Sequence, residues 1–377
     1  MDKIHPLLDR AKQLQARRYE KEKRLLGLAG VVLSLIILSA FYYSGLSARL
    51  ANLQIGNSVI WTFLLYIVAL YTLSILFESP LAFYTSYVHE HKWNFSNHTV
   101  KSWVWEKFKS FLVGLILMIL LLGLLFWIMA LTPEYWWLIA GLAMAVASAI
   151  FATLFPVVIL PIFNKYTPIQ NKELTDALEK ILSKAGLRSG GFFMEDMSRQ
   201  TKKENAFLAG LGKTRRVVLA DNLMKKMSVP EIESIIAHEV GHYKLKHIWK
   251  NIALGALQQL IVFYLLNRVM TWIFPQFLTS TKWNLTLFPF FIVLMVAIST
   301  FLFGPLSQAL SRHFEKDADR ISLEMIRDKK AFLSALSGLA DRNLLNAYPE
   351  WWVKLLYYSH PPIGERLAMA ENFAKKT

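Results

Sequence analysis

Residues 236–247 read IAHEVGHYKLKH, and the H-E-x-x-H run at His238, Glu239 and His242 stands in a chain that is otherwise mostly apolar. On a helix, positions four apart share one face, so two imidazoles can hold a single zinc ion while Glu239 reaches a water on that metal. This pentapeptide is the signature of zinc peptidases. A catalytic zinc also needs a third protein ligand and one open position, which the rest of the chain has to supply.

Of the 377 residues, 54% are apolar and 18% charged, and the apolar ones are clustered. A helix needs about 20 residues to cross a bilayer. Six stretches reach that length or nearly so: 25–43, 59–77, 111–131, 135–160, 252–274 and 287–303. Six soluble core helices this apolar are not expected, so the chain reads as multispanning, with the lipid bilayer as its solvent. The first span follows a charged leader that includes RRYEKEKR at 17–24, which does not fit a cleaved secretory signal; the leader reads as retained. There is no Cys, so the C-terminal FAKKT offers no prenylation site, and any metal must be held by His and carboxylate.

The net charge of +15 follows topology rather than nucleic acid, which is not expected as a partner. Lys and Arg crowd the leader, the second connection (Lys92, Lys101, Lys107, Lys109) and the segment after the fourth span. The first connection carries only Arg49 and the third no basic residue. The N-terminus is then inside, and 161–250 and 304–377 both fall on the cytoplasmic side.

Between the fourth and fifth spans the composition turns polar. A helix is expected over 172–184, closed by Gly186, then strands over 191–195 and 216–220, with NAFLAGLG at 205–212 between them read as tight turns. Ser228 is placed to cap a helix that starts at Val229, with Pro230 in its first turn and Glu231 at its third position. That helix carries the zinc motif and reads as running on toward the fifth span. After the sixth span, Leu310, Phe314, Ala318, Ile321 and Met325 recur at helical spacing and put Glu315 and Asp319 on one face. Pro361 and Pro362 force a turn before a last helix near Gly364.

Glu315 is the candidate third ligand, with Asp319 one turn on to accept the free N–H of a ligand imidazole. The same spacing equally suits a solvated face that pairs with Arg312, Lys316 or Arg320. Glu239 reads as the general base and acid rather than a ligand. His360 has the chemistry of an oxyanion donor, and Arg366 that of a carboxylate grip or a brace, although a His before Pro-Pro also suits a plain turn. Asn205 reads either as a substrate contact beside a strand or as a turn residue. His89, His91 and His98 read as loop residues rather than a second metal site, and the five-residue spacing points His247 off the ligand face. Asn267 and Arg268, inside the fifth span, are expected to face a bundle interior or a water-filled cavity.

The segments FNKYTPI (163–169), NAFLAGLGKTRRVVLADNL (205–223), AHEVGHYKLKH (237–247), EKDAD (315–319) and SHPPIGERL (359–367) resemble, in order and spacing, the type I CAAX prenyl endopeptidases. The likeness spans 78–366. It implies one zinc ion per chain on His238, His242 and Glu315, Glu239 as catalyst, and Asn205, His360 and Arg366 in the substrate cleft, with the zinc enclosed within a large helical, water-filled chamber. Eukaryotic members carry a further N-terminal span and a longer insertion before the zinc motif, so this chain resembles a compact bacterial relative.

The expected fold is mainly α: a multispanning helical bundle with a small α+β zinc-peptidase insert. Residues 1–24 form the leader, 25–160 four spans, 161–251 the zinc-peptidase region, 252–303 two further spans, and 304–377 a helical region with the third ligand. The expected function is membrane-embedded zinc metalloendopeptidase acting on peptide or protein substrates, prenylated CAAX proteins or other membrane-associated ones, in a bacterial cell membrane with the site on the cytoplasmic side. The alternatives are a quality-control protease without prenyl specificity, or a catalytically silent metal-binding scaffold or transporter.

Overall fold

The computed structural model describes residues 4–53, 58–210 and 215–373. Part of the expected NAFLAGLG turn (211 and 212) and most of the FAKKT terminus (374–377) therefore lie outside the described residues.

Six helices are long and apolar enough to cross a membrane: Arg10–Tyr43, Val59–Lys92, Val100–Leu131, Trp136–Phe163, His247–Ile273 and Phe288–Ile326. The protein is mainly helical, as expected, and the helices outrun the apolar stretches. The first takes in most of the leader, starting where the Asp9 side chain accepts a hydrogen bond from the Lys12 N–H at 2.8 Å. The sixth continues through a π-helical segment, Ile298–Phe303, into the polar stretch that carries Glu315 and Asp319. Sequence periodicity shows where a face is apolar, not where a helix starts or stops: it read the helix over 310–325 but not its continuity with the sixth span, and it did not read the leader as part of the first helix.

The bundle is packed around Trp136, which is fully buried against Phe263, Phe277 and Phe291 with ring centroids 5.7, 6.2 and 5.9 Å away. Its indole N–H donates to Asn267 Oδ1 at 2.7 Å, which explains one polar residue inside the fifth span; Arg268 beside it is exposed. The fourth and fifth spans meet closely at Gly141, where a Cβ would stand 2.7 Å from the Leu260 side chain and 3.3 Å from its Cα. Large apolar side chains face outward, among them Phe301 at 82% and Trp272 at 81% exposure. In water such a surface would aggregate; against lipid it is the favourable one.

The insert holds a four-stranded sheet: β1 (Tyr166–Pro168), β2 (Phe192–Glu195), β3 (Ala206–Ala209) and β4 (Arg216–Ala220), in the order β1-β2-β4-β3. β2 and β4 run parallel, and the outer strands are antiparallel to their neighbours. The segment read as tight turns is thus partly an edge strand, β3, which ends at Gly210 with φ 81°; four residues are too few to show strand alternation. Helix Lys172–Lys184, capped by Asn171, buries Leu174, Leu178, Ile181 and Leu182 against Val217, Leu219, Ile232, Ile236 and Val240. That shared core seats the sheet on the zinc-motif helix.

Replacing Asn267 by Leu removes the one acceptor that the fully buried Trp136 N–H has among the described residues. A loss of about 1–3 kcal/mol is expected. Thermal unfolding in detergent should show it, and the Trp136→Phe/Asn267→Leu pair should cost less than the two single changes added together.

Candidate metal centre

Helix Val229–Lys244 opens with a capping box: the Ser228 N–H donates to Glu231 Oε2 at 2.8 Å, while the Ser228 side chain serves the helix N-terminus. Glu231 Oε1 also accepts from the Ser334 hydroxyl at 2.6 Å, so the cap fixes the helix to a C-terminal neighbour, Lys329–Arg342. One turn before its end lies Gly241. A Cβ there would meet Ala318 Cα and O at 3.0 Å and Ile321 Cβ at 3.2 Å. Only hydrogen fits, so the helix lies backbone to backbone on the extension of the sixth helix, and the Ser322 hydroxyl donates to the Ser234 carbonyl at 2.7 Å beside that contact.

This approach brings distant donors together. Nε2 of His238 and Nε2 of His242 are 3.1 Å apart, and the Glu315 carboxylate oxygens lie 3.2 Å from the first and 3.3 Å from the second. These three are the one group of metal-binding side chains among the described residues. A tetrahedral zinc with bonds of about 2.0–2.2 Å sets its ligand atoms roughly 3.3–3.6 Å apart, close to this spacing. Glu315 Oε2 is also buried without a hydrogen-bond partner among the described residues. A cation at this point would satisfy that oxygen and the converging lone pairs, so the residues fit the metal.

The surrounding groups reinforce that demand. His238 Nδ1 donates to Asp319 Oδ1 at 2.8 Å, and Arg366 clamps the same carboxylate with Nε 2.8 Å from Oδ2 and Nη2 2.6 Å from Oδ1. Burial opposes a charge on His238, but Asp319 and Glu315 overcome it and raise its pKa to about 9, which measures how strongly the site attracts positive charge. Burial also pushes the Glu239 carboxyl up, against the pull of the two flanking imidazoles.

His360 joins the group from the turn before the last helix, Ile363–Glu371: its Nε2 is 3.2 Å from Glu315 Oε1, and its Nδ1 is 2.9 Å from the Ser359 hydroxyl. Arg366 is engaged with Asp319, so it braces the site rather than meeting it openly. Asn205 is exposed at the start of β3, on a strand that packs against the zinc-motif helix. The preceding Glu204, its side chain wholly buried, is gripped by Arg342 at 2.6 and 2.9 Å and by Lys226 at 3.1 Å, which anchors that end of the edge strand. His89 faces Glu22, His91 the Tyr87 carbonyl and His98 the Ser102 hydroxyl; they do not converge.

One expectation fails here. His247 does not point away: its Nδ1 lies 3.0 Å from Nδ1 of His242. The zinc-motif helix does not run on into the fifth span. It stops at Lys244, and Lys246 takes a left-handed conformation (φ 58°, ψ 32°) before a new helix starts at His247. Nothing in KLKH signals that break, because Lys is an unusual residue in that conformation.

A multispanning helical bundle in which an HExxH helix and the extension of the sixth helix bring two histidines and a glutamate together has the make-up of a membrane-embedded zinc metalloprotease. Residues 168–374 match peptidase family M48, and residues 2–165 match the region described as CAAX prenyl protease N-terminal, five membrane helices. The chain belongs to peptidase family M48. In the matched N-terminal part it has four long apolar helices among the described residues, not five. It is 29% identical over 364 residues to the uncharacterized metalloprotease YhfN of Bacillus subtilis, covering 95% of this chain and 85% of that protein. It is also 29% identical over 326 residues to CAAX prenyl protease 1 of Saccharomyces cerevisiae, covering 81% and 71%. The crystal structure of S. mikatae Ste24p shares the fold, with a TM-score of 0.84 at 24% identity over 97% of this chain and 91% of that one. A silent scaffold or transporter is set aside by the family: the protein is a zinc-dependent, integral, multi-pass membrane metalloendopeptidase with peptide or protein substrates.

Gly241→Ala is expected to force the two ligand-bearing helices apart at a cost of about 1–3 kcal/mol. It should also weaken zinc binding in a chelator competition, although residue 241 is no ligand. Unchanged affinity and stability would show that the helices do not depend on this contact.

Proposed function

We propose that His238, His242 and Glu315 hold the zinc and that Glu239 does the proton work of peptide hydrolysis. The observation that carries this is the convergence of two imidazole nitrogens and a carboxylate at 3.1–3.3 Å, with Glu239 between the two histidines in sequence but outside the ligand set. Bound zinc supplies a Lewis acid that polarises the scissile carbonyl and brings the pKa of a coordinated water near 7. Glu239 takes the proton of the attacking water and returns it to the leaving amine. His360, within hydrogen-bond reach of Glu315, stands where its ring can donate to the oxygen of the tetrahedral intermediate. Asp319 holds the His238 ring, and Arg366 holds Asp319.

The substrate is a membrane-associated protein bound mainly through its backbone. The edge strand β3, anchored at Glu204 and lying against the zinc-motif helix, offers main-chain hydrogen bonds to an extended peptide, with Asn205 at its end. Such pairing reads no particular side chain and needs no prenyl group, which favours a quality-control role over dedicated CAAX processing. The charge bias between spans supports a site on the cytoplasmic side, and the likeness to a metalloprotease of Bacillus subtilis supports a bacterial cell membrane. The basic excess belongs to that topology and brings no nucleic-acid partner.

Glu239→Gln keeps the shape of the site and removes its base. Purified in detergent, it should still bind one zinc per chain while peptide hydrolysis falls about 10²–10⁴-fold. Hydrolysis at the parent rate would remove Glu239 from the chemistry. A farnesylated CAAX peptide and its unprenylated equivalent should be cut at comparable rates; strict dependence on the farnesyl group would overturn the backbone-recognition reading.

A further inference from the structure

Residue 247 stands five positions past His242, and on one unbroken helix that spacing would turn its ring about 140° off the ligand face. The left-handed residue Lys246 removes that constraint. It lets the chain fold back before the fifth span begins, so the first residue of that span returns its side chain to the metal site. The His247 side chain is buried, with 2% of the residue exposed, and stacks flat on Phe314 with ring centroids 4.4 Å apart and 15° between planes. Phe314 immediately precedes Glu315, so the stack ties His247 to the helix that brings the third ligand.

We infer that His247 is a positioning residue for the metal: a neutral imidazole that accepts the Nδ1–H of His242 and so turns Nε2 of His242 toward the ion. The proton count leaves one arrangement. The Nε2 atom of His242 that faces His238 and Glu315 must be bare to bind a cation, which puts the His242 proton on Nδ1. Across the 3.0 Å gap the Nδ1 atom of His247 must then be bare as well, with its own proton on Nε2. That Nε2 is buried and has no partner among the described residues, so nothing there draws the proton off or stabilises a second one. A doubly protonated ring would also set N–H against N–H.

The two ligand histidines are therefore held in different ways. The His238 ring is held by a carboxylate, Asp319, whose charge Arg366 already meets with two hydrogen bonds. The His242 ring is held by a neutral acceptor. Neither partner passes uncompensated negative charge to the ligand set, and the metal keeps the electrophilicity that peptide hydrolysis asks of it. The inference rests on the ligand reading proposed above, and a His242→Ala control separates the two: if that variant keeps full zinc affinity, the ligand reading has failed.

Three full-length proteins in detergent test the role by chelator competition for zinc and by the absorption bands of the cobalt-substituted site. His247→Phe keeps a flat ring on Phe314 and removes the acceptor; His247→Asn puts an amide oxygen near the place of Nδ1. The Phe variant should bind zinc about 10–100-fold more weakly and shift the cobalt bands, while the Asn variant stays close to the parent. Equal affinity in parent and Phe variant, or equal losses in Phe and Asn, would overturn the inference, the second outcome because it marks His247 as packing alone. Selective ¹⁵N-histidine NMR of the zinc-loaded parent needs no variant. It should show His247 protonated on Nε2 and bare on Nδ1, and the reverse tautomer would overturn the inference as firmly.

Discussion

The metal site depends on one steric fact: the zinc-motif helix and the extension of the sixth helix touch where neither can carry a bulky side chain, at Gly241 and Ala318. An ordinary pair of helices keeps axes about 8–10 Å apart, and the distance grows with the side chains at the crossing. With Gly against Ala the separation shrinks, and Glu315 and Asp319 come within direct reach of His238 and His242. Asp319 meets His238 across 81 residues of sequence at 2.8 Å, with no water or long side chain spanning the gap. The glycine inside HEVGH is therefore as much a part of the centre as the residues on either side of it.

That contact also joins the centre to the bilayer. The helix that carries Glu315 is continuous with the sixth span, and the His247 ring, at the start of the fifth, rests on the neighbour of Glu315. Glu315, and the His247 ring that meets His242, thus sit on elements whose other ends lie in the membrane. The sheet and helix Lys172–Lys184 hold the zinc-motif helix from the opposite side through an apolar core of their own. A site clamped between a soluble core and two spans loses little entropy when a metal or substrate arrives, because its side chains are already ordered.

The sequence carried the chemistry better than the path of the backbone. The convergence of His238 and His242 was legible because spacing on a helix face is a short-range property, and the spans were legible because lipid imposes a composition over some twenty residues. Glu315 was visible only as one of two equal readings, since a carboxylate pair on a helix face looks the same whether it meets solvent or an ion. The resemblance, not the spacing, separated the two. What stayed hidden turned on single backbone angles or on lengths too short for a period: the edge strand Ala206–Ala209, the break at Lys246, and with it the place of His247. A left-handed lysine has no compositional mark; here it is followed directly by the His247 ring packed on Phe314.

Charge explains why so many ionisable groups can share one buried place. Glu315, Asp319 and Glu239 together would be intolerable in a low-dielectric pocket unless each had its own answer. Asp319 has Arg366 and the His238 N–H. Glu315 has the imidazoles and, through an oxygen with no hydrogen-bond partner among the described residues, room for the proposed cation. Glu239 has no ion pair among the described residues and is not in the His-His-Glu group, and burial raises its affinity for a proton. The carboxylate left least compensated is the one proposed to pick up a proton and give it back, so the electrostatic imbalance of the site falls on the group that such work would require.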